Sequence, residues 1–166
     1  FKTAAIVCSI FVILGAIISG SGTTETLGKL GSINALPGAF AACIAAGLSV
    51  YIMTKSGLPV STTQAIVGAI IGWNLYTGSS TNIQVLITIL GTWVLCPIIA
   101  GLLSMLFFVI TKNFLQKAKL HILRLDAYTR TALLLVGAFG AYSLGANNIA
   151  NVMGVFVPIS PFTDIN

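Results

Sequence analysis

Gly57–Gly72 reads GLPVSTTQAIVGAIIG, a proline and four polar side chains (Ser61, Thr62, Thr63, Gln64) set inside an otherwise apolar run. A bilayer-crossing helix avoids that combination, because polar groups and helix breaks at membrane depth persist only where they line a cavity or hold a ligand. Pro59 disfavours helix in the residue before it, and Ser is a preferred N-cap, so a helix is expected to start near Ser61. Its first N–H groups have no partner inside the helix. Three successive hydroxyls and a carboxamide beside a positive dipole end make an oxyanion site. The competing reading is local: Ser61 caps the helix and the threonines bond back to carbonyls one turn earlier.

The rest of the chain supports a membrane setting. Only 7 % of the 166 residues are charged and 57 % are hydrophobic, against about 25 % charged in a soluble domain. The mean hydropathy is +1.03. So few charges cannot present a hydrated surface, so the chain is read as an all-α, polytopic transmembrane protein. The net charge of +5 does not point to nucleic acid, since there is no basic stripe and no interleaving of aromatics with Lys or Arg.

Run length sets the spans. Thr3–Gly20 gives about 27 Å of helix, near a hydrocarbon thickness. Ser21–Asn34 is polar and glycine-rich. Ala35–Thr54 is a second span with Pro37 in its first turn. Ser61–Leu75 is helical again after the break, with Gly68 and Gly72 spaced for close helix contact and Trp73 and Tyr76 at an interface. Ile83–Thr111 is about 44 Å long and must tilt, kink at Pro97 or leave the membrane. Lys112–Asp126 is a basic loop, and Tyr128–Leu144 is the last span. The organisation expected is therefore residues 1–111, a loop at 112–127, and 128–166. If the three middle segments all cross, Lys2, Lys55 and the basic loop share one face, with Lys29 opposite. Short loops rich in Lys and Arg stay cytoplasmic, which orients the chain in a plasma or inner membrane. A re-entrant hairpin around Ser61 would change that parity. Phe1 in place of Met, and an end directly after a polar motif, suggest a portion of a longer polypeptide.

A second polar interruption, LGANNIAN, occupies Leu144–Asn151. Two polar breaks in spanning segments mark a transporter whose site lies between broken helices. Asn148 and Asn151 share a helix face, and each carboxamide offers oxygen to a cation and N–H₂ to an anion. Gly145 allows the backbone to unwind there and free carbonyls for Na⁺. The alternative is interhelical hydrogen bonding, a common packing device.

Other features exclude more than they suggest. Glu25 lies among Thr23, Thr24 and Thr26, a solvated carboxylate or a cation contact. GSGTTETLGK is not a phosphate loop, because Thr23 stands where Gly is needed and Leu30 follows Lys29. Cys8, Cys43 and Cys96 are isolated and read as small packing residues. With no acid–base pair in the apolar runs, no catalytic arrangement is present and the chain is not read as an enzyme.

Taken together, GLPVSTTQAIVGAIIG and SLGANNIANVMG resemble the inorganic phosphate transporter (PiT) family, known for P-V-S-T-T-[HQ]-A-I-V-G and G-A-N-D-x-A-N, each once per half of an inverted repeat. The resemblance covers the chain in order: the end of a first repeat, the basic loop, the start of a second. It implies an inverted-repeat fold with broken helices, and symport of inorganic phosphate with a cation, Na⁺, by alternating access. Ser61, Thr62, Thr63, Gln64, Asn147, Asn148 and Asn151 would contact phosphate. Asn148, Asn151 and Thr63 would contact Na⁺. The lipid bilayer, the remainder of the polypeptide and a second copy in a homodimer are the implied partners. Asn148 departs from the family pattern, which has Asp there, and a neutral amide offsets less cation charge. H⁺-coupled phosphate transport, sulfate transport and a non-transporting helix scaffold are the other readings.

Overall fold

The computed structural model describes residues 2–31, 33, 36–118 and 122–159. Among these the chain forms α1 (Lys2–Gly28), α2 (Leu36–Lys55), α3 (Thr62–Thr77), α4 (Ile83–Ala118), α5 (Ile122–Met153) and a 3-10 turn at Val157–Ile159, with no strand. Four helices, all but α3, are long and apolar enough to cross a membrane. Bulky side chains such as Ile17, Phe40, Leu102, Phe107 and Val136 stand exposed along them. An all-α polytopic membrane protein presents such side chains to lipid.

The break between α2 and α3 follows from its residues. Gly57 takes φ +69°, and the N–H groups of Leu58 and Gly57 reach back to the carbonyls of Met53 (3.0 Å) and Thr54 (3.1 Å). That is a Schellman ending, which wants glycine at its left-handed position, and Pro59 prevents the helix from resuming. Ser61, extended at φ −107° and ψ 120°, then caps α3 by accepting from the Gln64 N–H. Asn82 caps α4 in the same way, its Oδ1 accepting from Val85 N–H at 3.2 Å.

Contacts fix the helix directions. Val12 meets Gly145, and Leu27 meets Gly154, so α1 and α5 run the same way. Gly38 lies on Trp73, and Thr62 faces the later part of α2, so α2 and α3 are antiparallel. Leu30 accepts from Asn82 N–H, and Thr23 and Thr26 share a cavity with Thr92 and Trp93, so α4 runs against α1. The chain therefore alternates in direction through all five helices. Lys2, Lys55, the last turns of α4 and the first turn of α5 lie at one end.

A small core sits near the other end. Leu30, Ile33, Ile66, Ile70 and Val155 are buried there, with Asn74 donating to Thr81 Oγ1 at 2.8 Å.

Several expectations are corrected. α1 continues through Ser21–Gly28, because Thr23, Thr24 and Thr26 satisfy their hydroxyls on the carbonyls of Gly20 and Gly22 within the helix. α4 and α5 take up most of the expected basic loop. Lys112 and Lys117 are helical in α4, and Arg124 and Asp126 in α5; Lys119 and His121 lie outside the described residues. α4 is helical on both sides of Pro97, whose missing N–H leaves the Trp93 carbonyl without its helical donor, which leaves open the tilt, kink or exit expected for this run. α5 does not unwind at Gly145. Gly145 and Gly15 instead let the α1 and α5 backbones touch, since a Cβ on either would overlap the carbonyl of Val12 or Tyr142. Gly68 and Gly72 make no close helix contact and face open space. Gly68→Ala and Gly72→Ala should therefore leave thermal stability in detergent within about 0.5 kcal/mol of the parent, and a loss of several degrees in melting temperature would contradict that packing.

Candidate polar site between α3 and α5

The two polar motifs meet. Asn151 Nδ2 donates to Thr62 Oγ1 at 3.1 Å, and Asn147 Nδ2 donates to Thr63 Oγ1 at 3.4 Å. Asn151 Nδ2 also reaches Asn148 Oδ1 at 3.4 Å. The spacing makes this possible: successive threonines open α3, and Asn147 and Asn151, one turn apart, share one face of α5. α5 is held in register by Thr23, whose hydroxyl donates to the Ala146 carbonyl at 2.9 Å, and by Ser19 with Tyr142.

Two cavities flank this seam. One, about 380 Å³, is lined by Thr23, Thr26, Ser61, Thr63, Trp93 and Asn147, among others. The other, about 330 Å³, is lined by Cys43, Ala46, Val50, Thr62, Ile66 and Asn151, among others. The N–H groups of Thr62 and Thr63 are the orphan donors of a helix start and find no acceptor among the described residues. Asn151 Oδ1 is buried and has no hydrogen-bond donor. An unsatisfied buried acceptor costs about 1–3 kcal/mol, so the site carries oxygen acceptors and amide donors awaiting partners. Among the described residues no Lys, Arg, Asp or Glu lines either cavity. Glu25 is exposed and ion-paired with Lys29 one turn on.

Of the seven residues singled out from sequence, six gather here: Ser61, Thr62, Thr63, Asn147, Asn148 and Asn151. Gln64 does not. Its side chain lines a groove between α2 and α3, about 590 Å³, away from the asparagines. Within the cation group, Thr62 and not Thr63 is the hydroxyl bonded to Asn151. The helix turn explains both, because each step along α3 rotates a side chain by about 100°. Sequence reasoning missed Thr23 and Thr26 as cavity residues, treating them as neighbours of Glu25. It also missed Thr92 and Trp93, the polar or aromatic interruptions in the opening turns of α4. Among the described residues no group of His, Cys, Asp and Glu is placed to hold a metal ion.

A polytopic helical membrane protein with a polar site between a short capped helix and a long glycine-packed one is the class these features define. The chain belongs to the phosphate transporter family, whose model matches residues 1–126. It is 45 % identical over 96 residues to a Methanocaldococcus jannaschii protein named "Putative phosphate permease", covering 57 % of this chain and 32 % of that one. A Plasmodium falciparum protein named sodium-dependent phosphate transporter is 30 % identical over 129 residues, 71 % of this chain and 19 % of the relative. A Bacillus subtilis protein named sulfate permease is 29 % identical over 157 residues, 93 % of this chain and 44 % of the relative. The chain spans about a third of the length of the first curated relatives it matches. No solved structure matches it.

Proposed function

We propose that this chain carries part of the translocation site of a Na⁺-coupled inorganic phosphate symporter. The observation that carries the reading is the Thr62–Asn151 and Thr63–Asn147 seam with the unpartnered Asn151 Oδ1 beside it. Orphan N–H groups and hydroxyls at the start of α3 suit phosphate oxygens. Asn151 Oδ1, Asn148 Oδ1 and Thr62 Oγ1 suit a hard monovalent cation, which takes oxygen ligands. Phosphate brings between one and two negative charges into a cavity whose described lining holds no basic residue, so a co-bound cation is what balances it. That mutual need couples the two gradients, and movement of the α1–α5 pair against the α2–α3 pair would alternate access. The name of the Plasmodium relative supports Na⁺ as the coupling ion. The end carrying Lys2, Lys55, the last turns of α4 and the first turn of α5 faces the cytoplasm by its excess of cations.

Sulfate transport is the second reading, favoured by the Bacillus relative. The two anions differ in one respect the site can sense. Hydrogen phosphate donates a hydrogen bond and sulfate cannot. Asn147, whose N–H₂ faces Thr63, has its carbonyl oxygen left to accept one. In proteoliposomes of the complete polypeptide, labelled phosphate uptake should require a Na⁺ gradient and persist in about a hundredfold excess of sulfate, since a site built around a donated bond rejects an analogue lacking it. Strong competition by sulfate would move the assignment to sulfate. Uptake driven equally well by a proton gradient without Na⁺ would move the coupling to H⁺.

A further inference from the structure

The end of the molecule remote from the small core carries positive charge that phosphate transport does not use. Lys2 opens α1, Lys55 closes α2, Lys112 and Lys117 sit in the final turns of α4, and Arg124 in the first turn of α5. Asp126 is the one acidic residue described at this end, and Arg130 holds it at 2.9 Å. None of the five cations has a carboxylate partner among the described residues. At the opposite end Lys29 is matched by Glu25.

The length of α4 places part of this charge in the headgroup layer. Its 36 residues make a rod of about 54 Å, and the apolar part alone, Ile83–Thr111, is about 44 Å. Fitting 44 Å inside a hydrocarbon core of about 30 Å would need a tilt of about 47°, beyond the 0–40° that membrane helices show. Part of α4 therefore leaves the hydrocarbon, and the polar run Lys112, Asn113, Gln116 and Lys117 marks its final turns as a part that does. There Phe114 and Tyr128, 68 % and 61 % exposed, stand among Lys112, Lys117 and Arg124. Aromatic rings settle at the interface while lysine stems reach past them to phosphate.

We infer that the α4–α5 end is a docking surface for anionic phospholipid headgroups of the leaflet it faces. The surface offers Lys112 and Lys117 at the end of α4 and Arg124 at the start of α5, with Phe114 between the lysines and Tyr128 one turn past Arg124, a net positive charge that anionic headgroups balance and zwitterionic ones do not. The inference is independent of which ion the protein carries.

Spin-labelled phosphatidylglycerol and phosphatidylcholine, each at trace level in phosphatidylcholine vesicles holding the chain, provide the test. The motionally restricted fraction of the phosphatidylglycerol probe should exceed that of the phosphatidylcholine probe by about threefold or more, and the excess should fall in high salt. Lys112→Gln/Lys117→Gln/Arg124→Gln should bring the ratio to about one, while Lys112→Arg/Lys117→Arg and Lys29→Gln should preserve it. Equal restriction of both probes by the parent chain overturns the inference, and so does full selectivity in the triple variant. Loss of selectivity in the arginine variant as well overturns it, because charge would then not be the cause.

Discussion

Replacing Asn151 by leucine should lower sodium-driven phosphate uptake by the complete polypeptide by about a hundredfold or more without an appreciable loss of stability. Asn151 stands between Thr62 and Asn148 and holds the one acceptor of the site that is buried without a donor. If that oxygen and its neighbours hold ligand, removing them deletes two or more charge-assisted contacts of about 1.5–3 kcal/mol each. The folded chain loses two amide bonds worth about 0.6 kcal/mol each in a membrane interior. It also sheds an unsatisfied acceptor costing about 1–3 kcal/mol. The net runs from about 0.2 kcal/mol lost to about 1.8 kcal/mol gained, so melting in detergent should not fall appreciably. A scaffold in which the asparagines only pack helices predicts the reverse: a clear loss of stability, with anion and cation binding as before. Uptake and thermal denaturation measured on one preparation separate the two outcomes.

Gly145→Ala, like Gly15→Ala, should be among the most destabilising methyl additions to this chain. Its Cβ would fall onto the Val12 carbonyl, and the Gly15 Cβ onto the Tyr142 carbonyl; both obstacles are backbone and cannot rotate away. Overpacking of this kind typically costs about 1–3 kcal/mol, and the upper end is expected here because α1 and α5 must separate. Separation would also pull Thr23 from Ala146 and draw Asn147 and Asn151 off the α3 threonines, so uptake should fall with stability. Once the helices have parted for one methyl, the second finds room. Gly15→Ala/Gly145→Ala should therefore cost clearly less than the sum of the single changes. Strict additivity in thermal melts would show that the two glycines do not share one seam.

Much of the architecture was legible in order along the chain. The Gly57–Pro59 break and the cap at Ser61 follow from local rules, because glycine at a left-handed position, proline's missing N–H and serine's short side chain act within a few residues. Charge scarcity and long apolar runs define a polytopic helical protein before any contact is known. Helix ends were less legible where polarity could be absorbed internally, as in Thr23–Thr26 of α1, whose hydroxyls bond to their own helix. What only the tertiary structure decided is which side chains face each other. Gly145 reads from sequence as a place where the helix can unwind, and the nearness of Val12 made it a contact. Gly68 and Gly72 carry the spacing of a packing pair, yet nothing lies against them. Gln64 belongs to the same polar run as Thr62 and Thr63, but a rotation of about 100° per residue turns it into another groove. Thr92 and Trp93 enter the cavity because α4 runs antiparallel to α1, a relation between residues some seventy positions apart. Local chemistry sets where helices begin and end, whereas a site lined by residues of all five helices depends on their relative rotation and register, which no single segment encodes.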